Sequence, residues 1–131
     1  MAVISYLAGI DNGAVAMLRS AARKAGAPPL GAAVARLNVT DLGELRPAFI
    51  VCDIDGLAVD ALEMLRQLRF VLPECVIAIY TGVATAAWAL ACHLAGANCL
   101  LSKLSTKAEL TEGMSQALQT GCFTDPRFEA A

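Results

Sequence analysis

Three polar residues stand where apolar runs stop. Asp53 follows Phe49-Ile50-Val51-Cys52, Thr81 follows Val76-Ile77-Ala78-Ile79-Tyr80, and Lys103 follows Cys99-Leu100-Leu101-Ser102. Short β-branched and aromatic runs of this kind read as fully buried strands of a parallel sheet, the first one led in by Pro47 and stopped by Gly56. In open parallel sheets, ligands and chemistry gather just beyond the carboxyl ends of the strands. An acid, a hydroxyl and an ammonium brought together there are the groups that a phosphoryl transfer uses. The carboxylate can take the phosphoryl group, and the hydroxyl and the cation can hold its oxygens.

Five strand–helix units would position these ends. Val3–Ala8 reads as the first strand, and Gly13–Ala25 as a helix ended by Gly26 and followed by Pro28-Pro29. Ala32–Leu37 is a weak second strand, and Thr40–Leu45 a short helix capped by Thr40 or Asp41. Phe49–Asp53 is the third strand. Asp60–Phe70 follows as a helix with Leu62, Leu65 and Leu68 at helical spacing, Arg66 and Arg69 facing out, and Pro73 behind it. Val76–Tyr80 and Asn98–Leu101 are the fourth and fifth strands, with Thr85–Ala95 as the helix between them. Thr106-Lys107-Ala108-Glu109 forms a capping box for a last helix whose apolar face is Leu110, Met114, Ala117 and Leu118. Strands alternating with helices imply a parallel sheet covered on both faces. For this length the fold class is α/β, flavodoxin-like, a five-stranded parallel sheet with strand order 2-1-3-4-5 and helices on both faces.

Composition narrows the function. The 131 residues suit one domain, and alanine makes up much of the 57% of hydrophobic residues, which points to close helix packing and a partner surface. No apolar stretch reaches the roughly 18 residues of a membrane span, and Met1-Ala2-Val3-Ile4-Ser5 lacks the basic head of a signal peptide, so a cytoplasmic location is expected. The net charge of −2 argues against nucleic-acid binding by this segment. The five cysteines include no C-x-x-C pair and read as buried, reduced hydrophobic residues. A single histidine, His93, is not a metal site.

Over about residues 3–120 the chain resembles the receiver (CheY-like) domain of two-component response regulators. The clearest stretch is Pro47 to Arg69: a proline, an apolar strand, Asp53, six intervening residues, then Asp60-Ala61 and Leu62-Glu63-Met64-Leu65-Arg66-Gln67-Leu68-Arg69. Gly96-Ala97 stands before the last expected strand, as it commonly does in receivers. The resemblance implies that Asp53 is the phospho-acceptor, Thr81 the switch hydroxyl and Lys103 the countercharge. It implies no enzyme beyond slow self-phosphorylation and self-dephosphorylation. A sensor histidine kinase or phosphotransfer protein would be the partner, and a homodimer an available assembly. The tail, Gly121-Cys122-Phe123-Thr124-Asp125-Pro126-Arg127-Phe128, resembles the segment that joins NarL/FixJ-like receivers to a helix-turn-helix domain. Residues 1–120 are thus expected to be the receiver, and residues 121–131 a tail or linker that could leave the core. It would lead towards a missing output domain that binds DNA and regulates transcription.

Three departures qualify the resemblance. The acidic pair that receivers place after their first strand to bind Mg²⁺ falls here on Gly9 and Ile10, and Asp11 comes one residue late. The resemblance then implies weakened Mg²⁺ binding, with Asp11, Asp53 and Asp55 as the metal residues; Asp55 either substitutes for the missing acid or faces water. Lys103 is followed by Leu104, where the family has proline. Leu100 stands in place of the aromatic residue that rotates on activation, with Tyr80 as the nearest aromatic. Trp88 fits either the core or the output surface. Two rival readings share these residues. One is a pseudo-receiver that acts as a docking module without phosphorylation, supported by Gly9-Ile10. The other is a haloacid-dehalogenase-like phosphatase, suggested by Asp53-Ile54-Asp55-Gly56 but opposed by two preceding strand units and by the lack of a downstream acidic pair.

Overall fold

The computed structural model describes residues 5–8, 12–27, 43–44, 46–55 and 60–129. Among these residues five strands form one parallel sheet: β1 Ser5–Ala8, β2 Phe49–Asp53, β3 Val76–Thr81, β4 Cys99–Ser102 and β5 Phe123–Thr124, in that order across the sheet. The expected adjacency of the first, third, fourth and fifth strands is therefore present. The expected second strand, Ala32–Leu37, lies outside the described residues. So does most of the helix expected over Thr40–Leu45, of which Gly43 and Glu44 are described and helical.

Both faces of the sheet are covered, which is why its strands read as unbroken apolar runs instead of alternating ones. Phe49, Val51, Ala78, Tyr80, Cys99 and Leu101 point to one face and pack under helices α1 (Asn12–Lys24) and α4 (Lys107–Thr120). Ile50, Cys52, Ile77, Ile79 and Leu100 point to the other, under α2 (Ala61–Val71) and α3 (Ala86–Ala95). A one-residue slip would exchange the two sets of side chains, so packing pins the register. Asp53 then pairs with Tyr80, and Thr81 with Ser102.

The helix starts follow the capping residues. The Asp60 carboxylate accepts from the Leu62 and Glu63 amides at the start of α2. Thr85 caps α3 through the Trp88 amide. Thr106 and Glu109 satisfy each other's backbone amides at the start of α4, which is the reciprocal pattern of a capping box.

Several expectations need correction. Arg69 does not face out. Its Nε and Nη2 donate to the Gly96 carbonyl at 3.0 and 2.7 Å, and Nη2 also donates to Asn98 Oδ1. Its Nη1 donates to the carbonyls of Leu72, Pro73 and Cys75 at 3.0, 3.2 and 2.8 Å. A planar fork of donors suits this cluster of helix-end and loop carbonyls. Cys122 is exposed, unlike the other four cysteines. Burial pushes the thiols of Cys75 and Cys92 up to about 12 and about 11, so both are inert neutral groups at neutral pH. Trp88 packs against the α2/α3 side of the core. His93 is held structurally: its Nδ1 lies 2.9 Å from the Ala97 carbonyl, which can only accept, and its Nε2 lies 2.9 Å from the Thr124 hydroxyl.

Over its described residues, 121–129, the tail packs against the domain. After α4, β5 adds to the edge of β4, and a short 3-10 helix (Pro126–Phe128) crosses to the α2/α3 side. Phe128 is 1% exposed there. Asp125, itself buried, accepts from the Ser105 hydroxyl at 2.8 Å and from the Arg127 amide at 2.8 Å.

Gly96 tests this packing. Its φ of +122° favours glycine, and a Cβ there would lie 2.7 Å from Arg69 Cβ. Gly96→Ala should lower stability by about 2–3 kcal/mol through backbone strain and loss of the arginine bonds. The reading is the urea midpoint at unchanged m-value; an unshifted midpoint would contradict the role given to this turn.

Candidate functional site

The three strand ends meet. Asp53 ends β2 with its side chain 11% exposed, and its Oδ2 lies 2.7 Å from Lys103 Nζ. Lys103 follows β4, and its amide donates to the Thr81 carbonyl at 3.0 Å, so the loop is tied to the neighbouring strand end. Thr81 closes β3 and is fully buried. Its hydroxyl donates to Asp55 Oδ1 and accepts from the Val83 amide at 3.1 Å.

Asp55 proves central to the site, and residue types alone gave no sign of where its side chain turns. The Asp55 amide donates to Asp53 Oδ1 at 3.0 Å, which folds the chain sharply after β2. Its carboxylate then points back across the strand ends. Oδ1 takes the Thr81 hydroxyl, while Oδ2 takes the Gly82 amide at 2.7 Å and Lys103 Nζ at 3.1 Å. The Asp55 carboxylate is therefore engaged by three protein donors, although the residue stays exposed at the mouth of the sheet. The Gly82 amide is a donor that the sequence did not flag, since it is a backbone group placed by the end of β3.

Charge balance at the site follows from these contacts. Partial burial raises the Asp55 carboxyl, but the Gly82 amide, the Thr81 hydroxyl and the Lys103 ammonium outweigh it and hold the group below its ordinary 3.8. Burial lowers Lys103, but its bonds and charge attraction to Asp53 and Asp55 outweigh that and hold it above its ordinary 10.5. The ammonium also lies 5.9 Å from the centre of the Tyr80 ring, within cation–π range.

The substitutions at the family's other positions have local explanations. Leu104 brings an amide that proline lacks, and it donates to Ser102 Oγ at 3.1 Å. Together with the Ser105 amide on the Ser102 carbonyl, it closes the turn that carries Lys103. Leu100 is fully buried on the α2/α3 side, whereas Tyr80 packs on the α1/α4 side. Tyr80 therefore cannot replace an aromatic residue at Leu100.

The fit to magnesium is poor. Mg²⁺ takes one or two carboxylates together with waters and phosphate oxygens. Both described carboxylates, Asp53 and Asp55, already share the Lys103 ammonium, and no group of three or more acidic, histidine or cysteine side chains gathers among the described residues. Asp11 lies outside the described residues. As arranged, these residues form a mixed-charge cluster and not an open magnesium site.

No protein-family model matches this sequence, and no curated protein sequence matches it. Solved structures do match. A two-component response regulator of the LuxR family from Aurantimonas sp. gives a TM-score of 0.75 at 22% identity, over 95% of this chain and 90% of that one. The isolated REC domain of RcsB from Salmonella enterica serovar Typhimurium, in the presence of phosphomimetic BeF3−, gives 0.79 at 14% identity, over 99% and 98%. A pilus assembly-related protein from Burkholderia pseudomallei gives 0.68 at 17% identity, over 90% and 87%. The chain thus has the α/β, CheY-like fold of receiver domains, with a parallel sheet and flanking helices.

The charge cluster has a pH signature. The contribution of Asp55 to stability is complete above pH 3.8 and is lost as pH falls through its depressed folded value. That of Lys103 is complete below pH 10.5 and is lost as pH rises through its elevated folded value. The stability advantage of the native chain over Asp55→Asn, measured by urea unfolding, should therefore hold across neutral pH and shrink at both extremes. An advantage independent of pH would contradict the ionic part of the cluster.

Proposed function

We propose that the chain is the receiver domain of a two-component response regulator and that Asp53 is its phospho-acceptor. The observation that carries this reading is the placement of a strand-end carboxylate 2.7 Å from Lys103, beside the Thr81 hydroxyl, in a receiver fold. In the proposed step an Asp53 carboxylate oxygen attacks the phosphorus of a phosphohistidine or of a small acyl phosphate. The new bond is P–O to Asp53, and the donor departs with the electron pair of the broken bond. Catalysis is then chiefly positioning and charge stabilisation. Lys103 offsets the negative charge, and Thr81 donates to a phosphoryl oxygen once it has arrived.

The partners that go with this reading are a sensor histidine kinase or phosphotransfer protein, acting in the cytoplasm, and an output domain that binds DNA. The finer strand order, 2-1-3-4-5 with Ala32–Leu37 at the edge, also belongs to it, as does the NarL/FixJ-like class suggested by the tail. Leu90 and Leu94 on the outer side of α3 are 60% and 79% exposed, and they give a homodimer or an output domain an apolar surface to meet.

A second reading has its own support. The occupation of the Thr81, Gly82 and Lys103 donors by Asp55 favours a pseudo-receiver that docks partners without being phosphorylated. Titration with beryllofluoride at millimolar Mg²⁺ separates the two. Binding to the native chain that disappears in Asp53→Asn is expected; no binding to the native chain would overturn its phosphorylation.

A further inference from the structure

A phosphoryl group on Asp53 would bring three oxygens to the mouth of the sheet, and each would need donors there. The donors that the strand ends supply are the Thr81 hydroxyl, the Gly82 amide and the Lys103 ammonium. All three already converge on one other anion, the Asp55 carboxylate, through its Oδ1, its Oδ2 at 2.7 Å and its Oδ2 at 3.1 Å respectively. The carboxylate is anchored from its own side as well, since the Asp55 amide is held by Asp53 Oδ1 at 3.0 Å. Carboxylate and phosphoryl oxygens draw on the same charge-assisted hydrogen bonds, so the two groups compete for these donors.

We infer that Asp55 is a resident anion that occupies the phosphoryl position and sets how readily Asp53 can be loaded. This inference rests on the reading of Asp53 as phospho-acceptor and adds a control residue to it. Loading Asp53 requires the Asp55 side chain to leave Thr81, Gly82 and Lys103, and the oxygens of the incoming group inherit those bonds. While Asp55 stays in place, the same three groups are held together without any phosphoryl group. The poor magnesium fit has the same cause, because the second carboxylate of the site is committed to Lys103 and the end of β3. Asp55 is a positioning and competing residue here; the covalent step remains with Asp53.

The test compares beryllofluoride affinity at fixed Mg²⁺ for the native chain, Asp55→Ala, Asp55→Asn and Asp53→Asn/Asp55→Ala. Removing the resident charge should tighten binding by on the order of tenfold in Asp55→Ala. Asp55→Asn, which keeps the shape but not the charge, should fall between, and the double variant should not bind. A merely structural role for Asp55 would weaken binding in both single variants. Equal or weaker binding by a folded Asp55→Ala, beside an Asp53-dependent native signal, would overturn the inference and leave the acceptor reading intact. Binding gained only in Asp55→Ala would support the inference while overturning phosphorylation of the native chain. Absence of binding in every folded variant would overturn both. If Asp55→Ala fails to fold, Asp55→Asn decides alone, and no gain there overturns the inference.

Discussion

One ammonium between two carboxylates is the constraint around which this site is arranged. Asp53 and Asp55 are brought together by a turn in which the amide of one is held by the carboxylate of the other. Like charges at that separation repel, and Lys103 relieves this by lying 2.7 Å from the first and 3.1 Å from the second. Lys103 can do so because the register of β4 sets Ser102 level with Thr81, and because the Ser102 hydroxyl and carbonyl close the turn just beyond. Charge, turn and register are thus linked: a shift of any one strand would separate the cluster.

The fold does not depend on the cluster in return. Truncating a buried leucine or isoleucine costs about 2–5 kcal/mol, while each hydrogen bond contributes about 0.5–1.5 kcal/mol net. Both faces of the sheet bury such side chains: Leu65, Leu68, Ile77 and Ile79 on one side, Leu18, Leu101 and Leu110 on the other. The scaffold therefore holds the site, and side chains at the strand ends can change while the domain stays folded. That asymmetry fits a chain whose fold matches receivers closely while its identity to them is only 14–22%.

The sequence was most legible where a residue type has one physical outcome. Buried strands read as apolar runs, Thr106 and Glu109 read as a capping box, and Asp53, Thr81 and Lys103 followed as strand ends. It was least legible where the outcome depends on a neighbour distant in sequence. Arg69 sits on a helix position that spacing alone assigns to solvent, but the carbonyl of Gly96, 27 residues away, draws it inward. Phe128 lies in a polar tail and is buried because β5 leads it over the sheet edge. The direction of the Asp55 side chain depends on donors from β3 and β4, so its identity was visible and its role was not. Asp11 and Ala32–Leu37 lie outside the described residues.

The central claim is that Asp53 accepts a phosphoryl group, and intact-protein mass spectrometry after incubation with acetyl phosphate tests it most directly. The account predicts the mass of one added phosphoryl group per chain, located by peptide mapping at Asp53 and absent from Asp53→Asn. An unchanged mass, or a modification that persists in Asp53→Asn, would contradict it.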